Sequence, residues 1–318
     1  MKANAVKTDA VKPGRGSRAT NRWFRLAWVV PAAVVGLLIV VVAANWIRTL
    51  PAVQSFMNDY PGTSELPAGT PVGFPVWLQW QHYLNFLFLV LIVRAGWLVR
   101  TTKRPSTHWT RRNNGPIRTK NSPRTISLDL WFHFGLGWLW VANGIVFYVL
   151  IFSTGQWARI VPVHWDVFPN AISVAIQYAS LNWPIETGWV NYNSLQLLAY
   201  FATVFIAAPL AIVTGLRMSG AWPRNATRLN KVYPITLARA IHFPVMLYFV
   251  LFVVVHVTLV LTTGALRNLN HMYSGSNDVN WVGFWIFAAS IVVVAAAWVA
   301  ARPVILRSIA GLTGTVSR

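Results

Sequence analysis

The apolar stretch Ala240–Gly264 carries two histidines, His242 and His256, fourteen residues apart. At 100° per residue the second imidazole returns to within roughly 40° of the first, about 21 Å further along the axis. Two imidazoles on one stripe of a membrane-length helix, one near each side of the bilayer, form the geometry needed to hold two stacked cofactors. Each cofactor would require one more ligand from another helix.

Two further apolar runs supply candidates. His82 lies just inside one end of the run that begins at Val76, flanked by Trp77 and Trp80, which suit a membrane interface. Gly96 falls fourteen residues later on the same face, near the other side. There it either lets something flat lie against the backbone or serves helix packing. In the next run His133 stands four residues past Asp129, and Gly144 comes eleven residues later, back on the His133 face. The two runs share one pattern in opposite directions. Depth then pairs His133 with His242 and His82 with His256, with no orphan. No carboxylate or third ligand lies at either depth, which argues against a carboxylate-supported metal site. His108 reads as an exposed loop residue, and His164 and His271 as solvated or interface positions.

The chain has no cysteine. Disulfides, thiolate metal sites, Cys-ligated iron–sulfur clusters and covalent haem attachment are therefore excluded. Two b-type haems, each held non-covalently between two histidines, fit the four imidazoles. Three arginines are placed to meet haem propionates on the same side as His133 and His242. Arg94 is a charge inside an apolar span, which is costly enough to read as functional unless the side chain snorkels to the interface. Arg217 and Arg239 stand at helix ends, where ordinary topology explains them equally well.

The elements that position these residues are helices crossing a bilayer. The chain is 55% hydrophobic and 11% charged, a membrane profile rather than a soluble core. Long charge-poor windows recur near Leu26–Trp46, Val76–Val99, Leu130–Ser153, Ser194–Leu216, Ala240–Gly264 and Trp281–Ala301. This predicts an all-α integral membrane protein of six spans, with spans two to five forming a four-helix bundle around the cofactors. Ser127 is the expected N-cap of the third span. Pro169–Ser180 is expected to form a short interfacial helix, with Trp157, Trp165 and Trp183 as anchors.

The net charge of +20 follows topology. Lys and Arg crowd the tail up to Arg25, Arg100–Arg124, Arg217–Arg239 and the stretch from Arg302 onward, while the alternate loops hold most of the acids. That is the positive-inside pattern for six spans with both termini cytoplasmic. Anionic lipid accounts for the basicity better than nucleic acid does. Residues 1–24 read as a basic disordered tail, 25–304 as the membrane domain (haem core about 76–266) and 305–318 as a short cytoplasmic tail.

The HYLNF run at His82, the HFGLGW run at His133 and the paired-histidine helix resemble the bacterial cytochrome b561 and nickel-hydrogenase b-type cytochrome family. The resemblance covers roughly Val76–Leu266 and includes the membrane subunits of formate dehydrogenase and thiosulfate reductase. It implies a di-haem carrier between the quinone pool and a redox subunit, often a molybdopterin enzyme, with His82, His133, His242 and His256 as axial ligands. The helix at Leu26–Trp46 is an addition to the pattern. Readings from other classes are a transporter or channel with a His- and Arg-lined polar path, and a non-redox membrane anchor. No internal repeat or broken-helix pair with substrate-facing carboxylates supports the transporter, and the anchor leaves the matched histidines without a role.

Overall fold

In the computed structural model, residues 20–114, 122–183, 188–223 and 225–318 are described. Among the described residues, six helices are long and apolar enough to cross a membrane. They are α1 (Thr20–Ile47), α3 (Val76–Thr101), α4 (Leu128–Ser153), α6 (Ser194–Met218), α7 (Ile235–Thr262) and α8 (Val282–Ala300). Two shorter helices, α2 (Pro51–Asp59) and α5 (Val167–Ala179), lie in the connections at one end. A last helix, α9 (Pro303–Thr313), follows α8.

Local chemistry sets the ends. The Ser127 side chain accepts a hydrogen bond from the Leu130 backbone N–H at 3.2 Å, so α4 starts at the expected cap. Asn193 and Gln196 form a reciprocal capping box that starts α6. α7 begins five residues before the apolar stretch, directly after Pro234 in extended conformation. Arg239 lies in its early turns, and a charge-free window hid them. Inside α6, residues Ala202–Ala207 widen into a π-turn just ahead of Pro209. Proline lacks an N–H and its ring presses on the carbonyl four residues back, so a locally widened ladder accommodates it.

The helices α3 and α4 run antiparallel in a register fixed by three contacts. His133 Nδ1 meets the Ile92 carbonyl oxygen at 3.2 Å, Trp140 Nε1 donates to Asn85 Oδ1 at 3.0 Å, and the Trp77 and Phe147 rings are 6.4 Å apart. Leu91 and Leu136 pack between them with Ala301 at the end of α8. α1 stands apart, with apolar side chains from Trp28 to Val42 exposed along it. Its far end is tied to α5, where Asn45 Nδ2 donates to the Ser180 carbonyl at 3.1 Å and Arg48 Nη1 to Ser180 Oγ at 3.1 Å.

The connection after α3 and the C-terminal segment, expected to be a basic loop and a tail, fold onto each other. Strands β1 (His108–Arg111), β2 (Thr125–Ser127) and β3 (Gly314–Ser317) form an antiparallel sheet in the order β2-β1-β3. His108 is half-buried in it, opposite Ser127 and Ser317. Trp109 Nε1 donates to the Ala310 carbonyl at 3.0 Å, and Leu128, Leu306 and Ala310 are buried beneath. Strands this short carry no readable periodicity, and β3 finds its partner about two hundred residues away in sequence.

At the opposite end, α5 spans the segment expected to be an interfacial helix. One face of it is packed on the protein, where Val167, Asn170, Ser173 and Val174 are buried, and the other exposes Phe168 and Ile172. Nearby, Arg159 is 1% exposed and donates to the carbonyls of Gly73 (2.5 Å), Gly188 and Trp189 (3.3 Å). Its guanidinium lies 4.9 Å from both the Phe74 and Tyr192 rings. His271, expected to be solvated, is buried against Phe74 and Trp189 and bonds Asn277 Oδ1 at 2.7 Å. Burial holds its imidazole below the usual value, with the Asn277 bond opposing.

Candidate cofactor site

The fold brings the four span histidines together in two pairs. At the end that carries the sheet, hereafter the basic end, the ring centres of His133 (α4) and His242 (α7) are 6.3 Å apart. At the far end those of His82 (α3) and His256 (α7) are 6.2 Å apart. A nitrogen lies about 1.1 Å from the centre of its imidazole ring and binds a first-row metal at about 2.0 Å. Two imidazoles on opposite sides of one metal ion therefore have centres about 6.2 Å apart. Both observed separations match that span, so each pair of rings is spaced as two imidazoles sharing one metal ion would be.

At the basic end the protein holds both rings by the nitrogen that a ligand does not use. His133 Nδ1 meets the Ile92 carbonyl, and His242 Nδ1 meets Thr214 Oγ1 at 2.7 Å. Such bonds fix tautomer and orientation and leave Nε2 for a metal. Thr214 in turn donates to the Leu210 carbonyl at 2.5 Å. Glycines make the approach possible. A Cβ on Gly96 would lie 3.1 Å from His133 Cε1, and one on Gly215 would lie 3.5 Å from His242 Cε1. The flat group against Gly96 is thus the His133 ring itself. Thr214 and Gly215 were not singled out from sequence, because α6 has no histidine; the signal was a Thr-Gly pair inside an apolar span.

At the far end aromatic rings do the positioning. Phe252 stacks on His256 at 5.6 Å and 4°, and Tyr200 meets His256 edge-on at 6.0 Å. Tyr273 meets His82 edge-on at 6.2 Å. His82 Nδ1 is buried and has no hydrogen-bond partner among the described residues. Gly144 makes no close contact; a Cβ there would meet nothing within 4 Å.

The arginines divide. Ile92 and Gly96 share the α3 face that meets His133. Arg94 is two residues from each, about 200° round the helix, on the opposite face. Its guanidinium lies 5.3 Å from the Trp298 ring of α8 and within Coulombic reach of Asp129. Arg239 is exposed near the start of α7. Arg217 donates to the Tyr233 carbonyl at 2.7 Å and covers Trp222. Arg100, not singled out from sequence, lies 3.8 Å from the ring of Phe243, the neighbour of His242.

Among the described residues, no group of three or more His, Asp or Glu side chains gathers as a metal site. The donor set is two pairs of imidazoles among apolar helices. It suits a cofactor that brings its own equatorial ligands, as haem does.

Comparison with known proteins converges on the same cofactor. Residues 73–275 match the family model of prokaryotic cytochrome b561. A curated relative from Azospira oryzae, a putative protein-methionine-sulfoxide reductase subunit YedZ1, is 25% identical over 201 residues, covering 58% of this chain and 88% of that protein. No solved structure matches. The matched region spans α3 to α7 and contains all four paired histidines, and the chain belongs to the prokaryotic cytochrome b561 family of membrane electron-transfer proteins, whose cofactor is haem b.

Proposed function

We propose that this protein is a di-haem cytochrome b that carries electrons across the bacterial plasma membrane between the quinone pool and a redox subunit. The observation that carries the reading is the pair of ring separations, 6.3 and 6.2 Å, one toward each end of α7. His133 and His242 would hold one haem, and His82 and His256 the other. Bound haem supplies one-electron chemistry. The chain's own residues orient the ligands, exclude water from the span and set the charge around each site. Gly144, beside open space at the far-end depth, is assigned to haem contact, and Arg239 to the surface around the basic-end haem.

The partner is assigned to the redox-subunit class, of which molybdopterin oxidoreductases are the members the family resemblance implies. That the Azospira oryzae relative is a putative reductase subunit supports a partner of this kind. The alternation of basic and acid-bearing connections supports a cytoplasmic location for both termini. Residues 1–19 of the expected basic tail lie outside the described residues; α1 already begins at Thr20, and α9 and β3 occupy the segment expected to be the C-terminal tail.

Haem-to-protein stoichiometry tests the assignment. The purified chain is expected to hold two non-covalent haems. His133→Ala and His242→Ala should each remove one haem, and His82→Ala and His256→Ala the other. A wild-type ratio near zero would refute the reading, and loss of the same haem from His82→Ala and His133→Ala would refute the pairing.

A further inference from the structure

Two of the four imidazoles, His133 and His242, have a protein hydrogen-bond partner on the nitrogen that a ligand does not use, and His82 has none among the described residues. Its Nδ1 is buried and unpartnered. Two other buried atoms share that condition: Gln81 Oε1, on the preceding residue of α3, and Asn143 Nδ2 on α4. The side chains are well enclosed, Gln81 being 7% and Asn143 8% exposed. The antiparallel register that joins Ile92 to His133, Asn85 to Trp140 and Trp77 to Phe147 brings Asn143 level with Gln81 and His82. One turn along, Asn85 is already committed. Its Nδ2 donates to the Gln81 carbonyl at 2.9 Å and its Oδ1 accepts from Trp140. It therefore leaves the three atoms unpaired.

Buried polar groups in native proteins are almost always satisfied, by protein or by ordered water. Resting on the bis-histidine reading above, we propose that one buried water bridges His82 Nδ1, Gln81 Oε1 and Asn143 Nδ2. The hydrogen-bond inventory closes. With Nε2 on the metal, His82 Nδ1 carries a proton and donates to the water oxygen. The Asn143 amide donates to the second lone pair, and the water donates one proton to Gln81 Oε1. Three partners is the usual number for a buried water.

The water does for His82 what the Ile92 carbonyl does for His133: it fixes the tautomer and makes the ligand more basic. A more basic axial ligand favours the oxidised metal. Gln81 and Asn143 are therefore positioning residues that lower the potential of the far-end haem.

Redox-difference infrared spectroscopy of the wild-type full-length protein in ordinary water and in water enriched in oxygen-18 tests the proposal without any variant. A water O–H band that follows reduction of the far-end haem and shifts with oxygen-18 is expected; its absence overturns the proposal. Gln81→Met and Asn143→Leu should each abolish the band and raise the far-end potential, leaving the basic-end potential unchanged. An unchanged far-end potential in both variants overturns the tuning role. A protein that holds no far-end haem would fail earlier, at stoichiometry, and would refute the bis-histidine reading instead.

Discussion

Gly96→Ala asks whether the basic-end site depends on a backbone approach. The added Cβ would lie 3.1 Å from His133 Cε1 and 3.4 Å from Nδ1, closer than ordinary van der Waals contact. The ring must move by a few tenths of an ångström, yet its Nδ1 is tied to the same α3 face by the 3.2 Å contact with the Ile92 carbonyl. Overpacking of this kind costs about 1–3 kcal/mol. Replacing a helical glycine by alanine returns up to about 1 kcal/mol in propensity. The control is Gly36→Ala in α1, where a Cβ meets nothing within 4 Å and only the gain remains. Gly215→Ala, at 3.5 Å from His242, falls between them. Thermal unfolding should rank Gly36→Ala above Gly215→Ala above Gly96→Ala. Haem retention at the basic end should fall in Gly96→Ala by about 10–100-fold, since each 1.4 kcal/mol is tenfold. If Gly96→Ala unfolds and retains haem as Gly36→Ala does, the close approach is not what that glycine is for.

Thr214→Val keeps the shape but removes the acceptor of His242 Nδ1; the basic-end potential should rise while the far-end potential stays, as redox titration would read. Arg94→Gln should leave the basic-end potential nearly unchanged, because the guanidinium faces Trp298, and a clear drop would restore the propionate role to Arg94. The stability contribution of His271 should depend on pH. Its folded value is depressed, so the unfolded chain takes up the proton first as pH falls. Stability is therefore full above the ordinary value of about 6.5 and is lost as pH drops through it toward the folded value. Unfolding of His271→Gln should show a flatter acid limb than wild type.

What the sequence made legible has a common physical origin. Six charge-poor windows, the Ser127 cap and the depth of each histidine are local properties, set by 1.5 Å of rise and 100° of turn per residue. They survive any error in how the helices are arranged. The direction in which a side chain leaves its helix is different, because it depends on the neighbours. Arg94 was placed at the correct depth, yet only the packing of α3 against α4 and α8 shows it on the face away from His133. Gly96 was placed on the His82 face of its helix, and only the structure names the His133 ring against it. The β1–β3 pairing, the burial of His271 and the reach of Thr214 from α6 to His242 all join segments distant in sequence. No local pattern encodes those.

The same contrast separates the two proposed haem sites. His133 and His242 are oriented by groups that belong to helices: a backbone carbonyl of α3 and a hydroxyl of α6. Those groups keep their place because the ladders around them are fixed, so the basic-end ligands are preorganised by secondary structure. His82 and His256 are oriented instead by rings, Tyr273, Tyr200 and Phe252, two of which stand outside α7 itself. Tyr273 sits in the short π-helical turn Asn270–Ser274 ahead of α8, packed by Phe287. The far-end site is therefore coupled to the connection between α7 and α8, and through Phe74 and Trp189 around His271 to the connections before α3 and α6. A partner that docks on those connections would bear directly on the far-end ligands, whereas the basic-end pair, held from within the bundle, would be insulated from it.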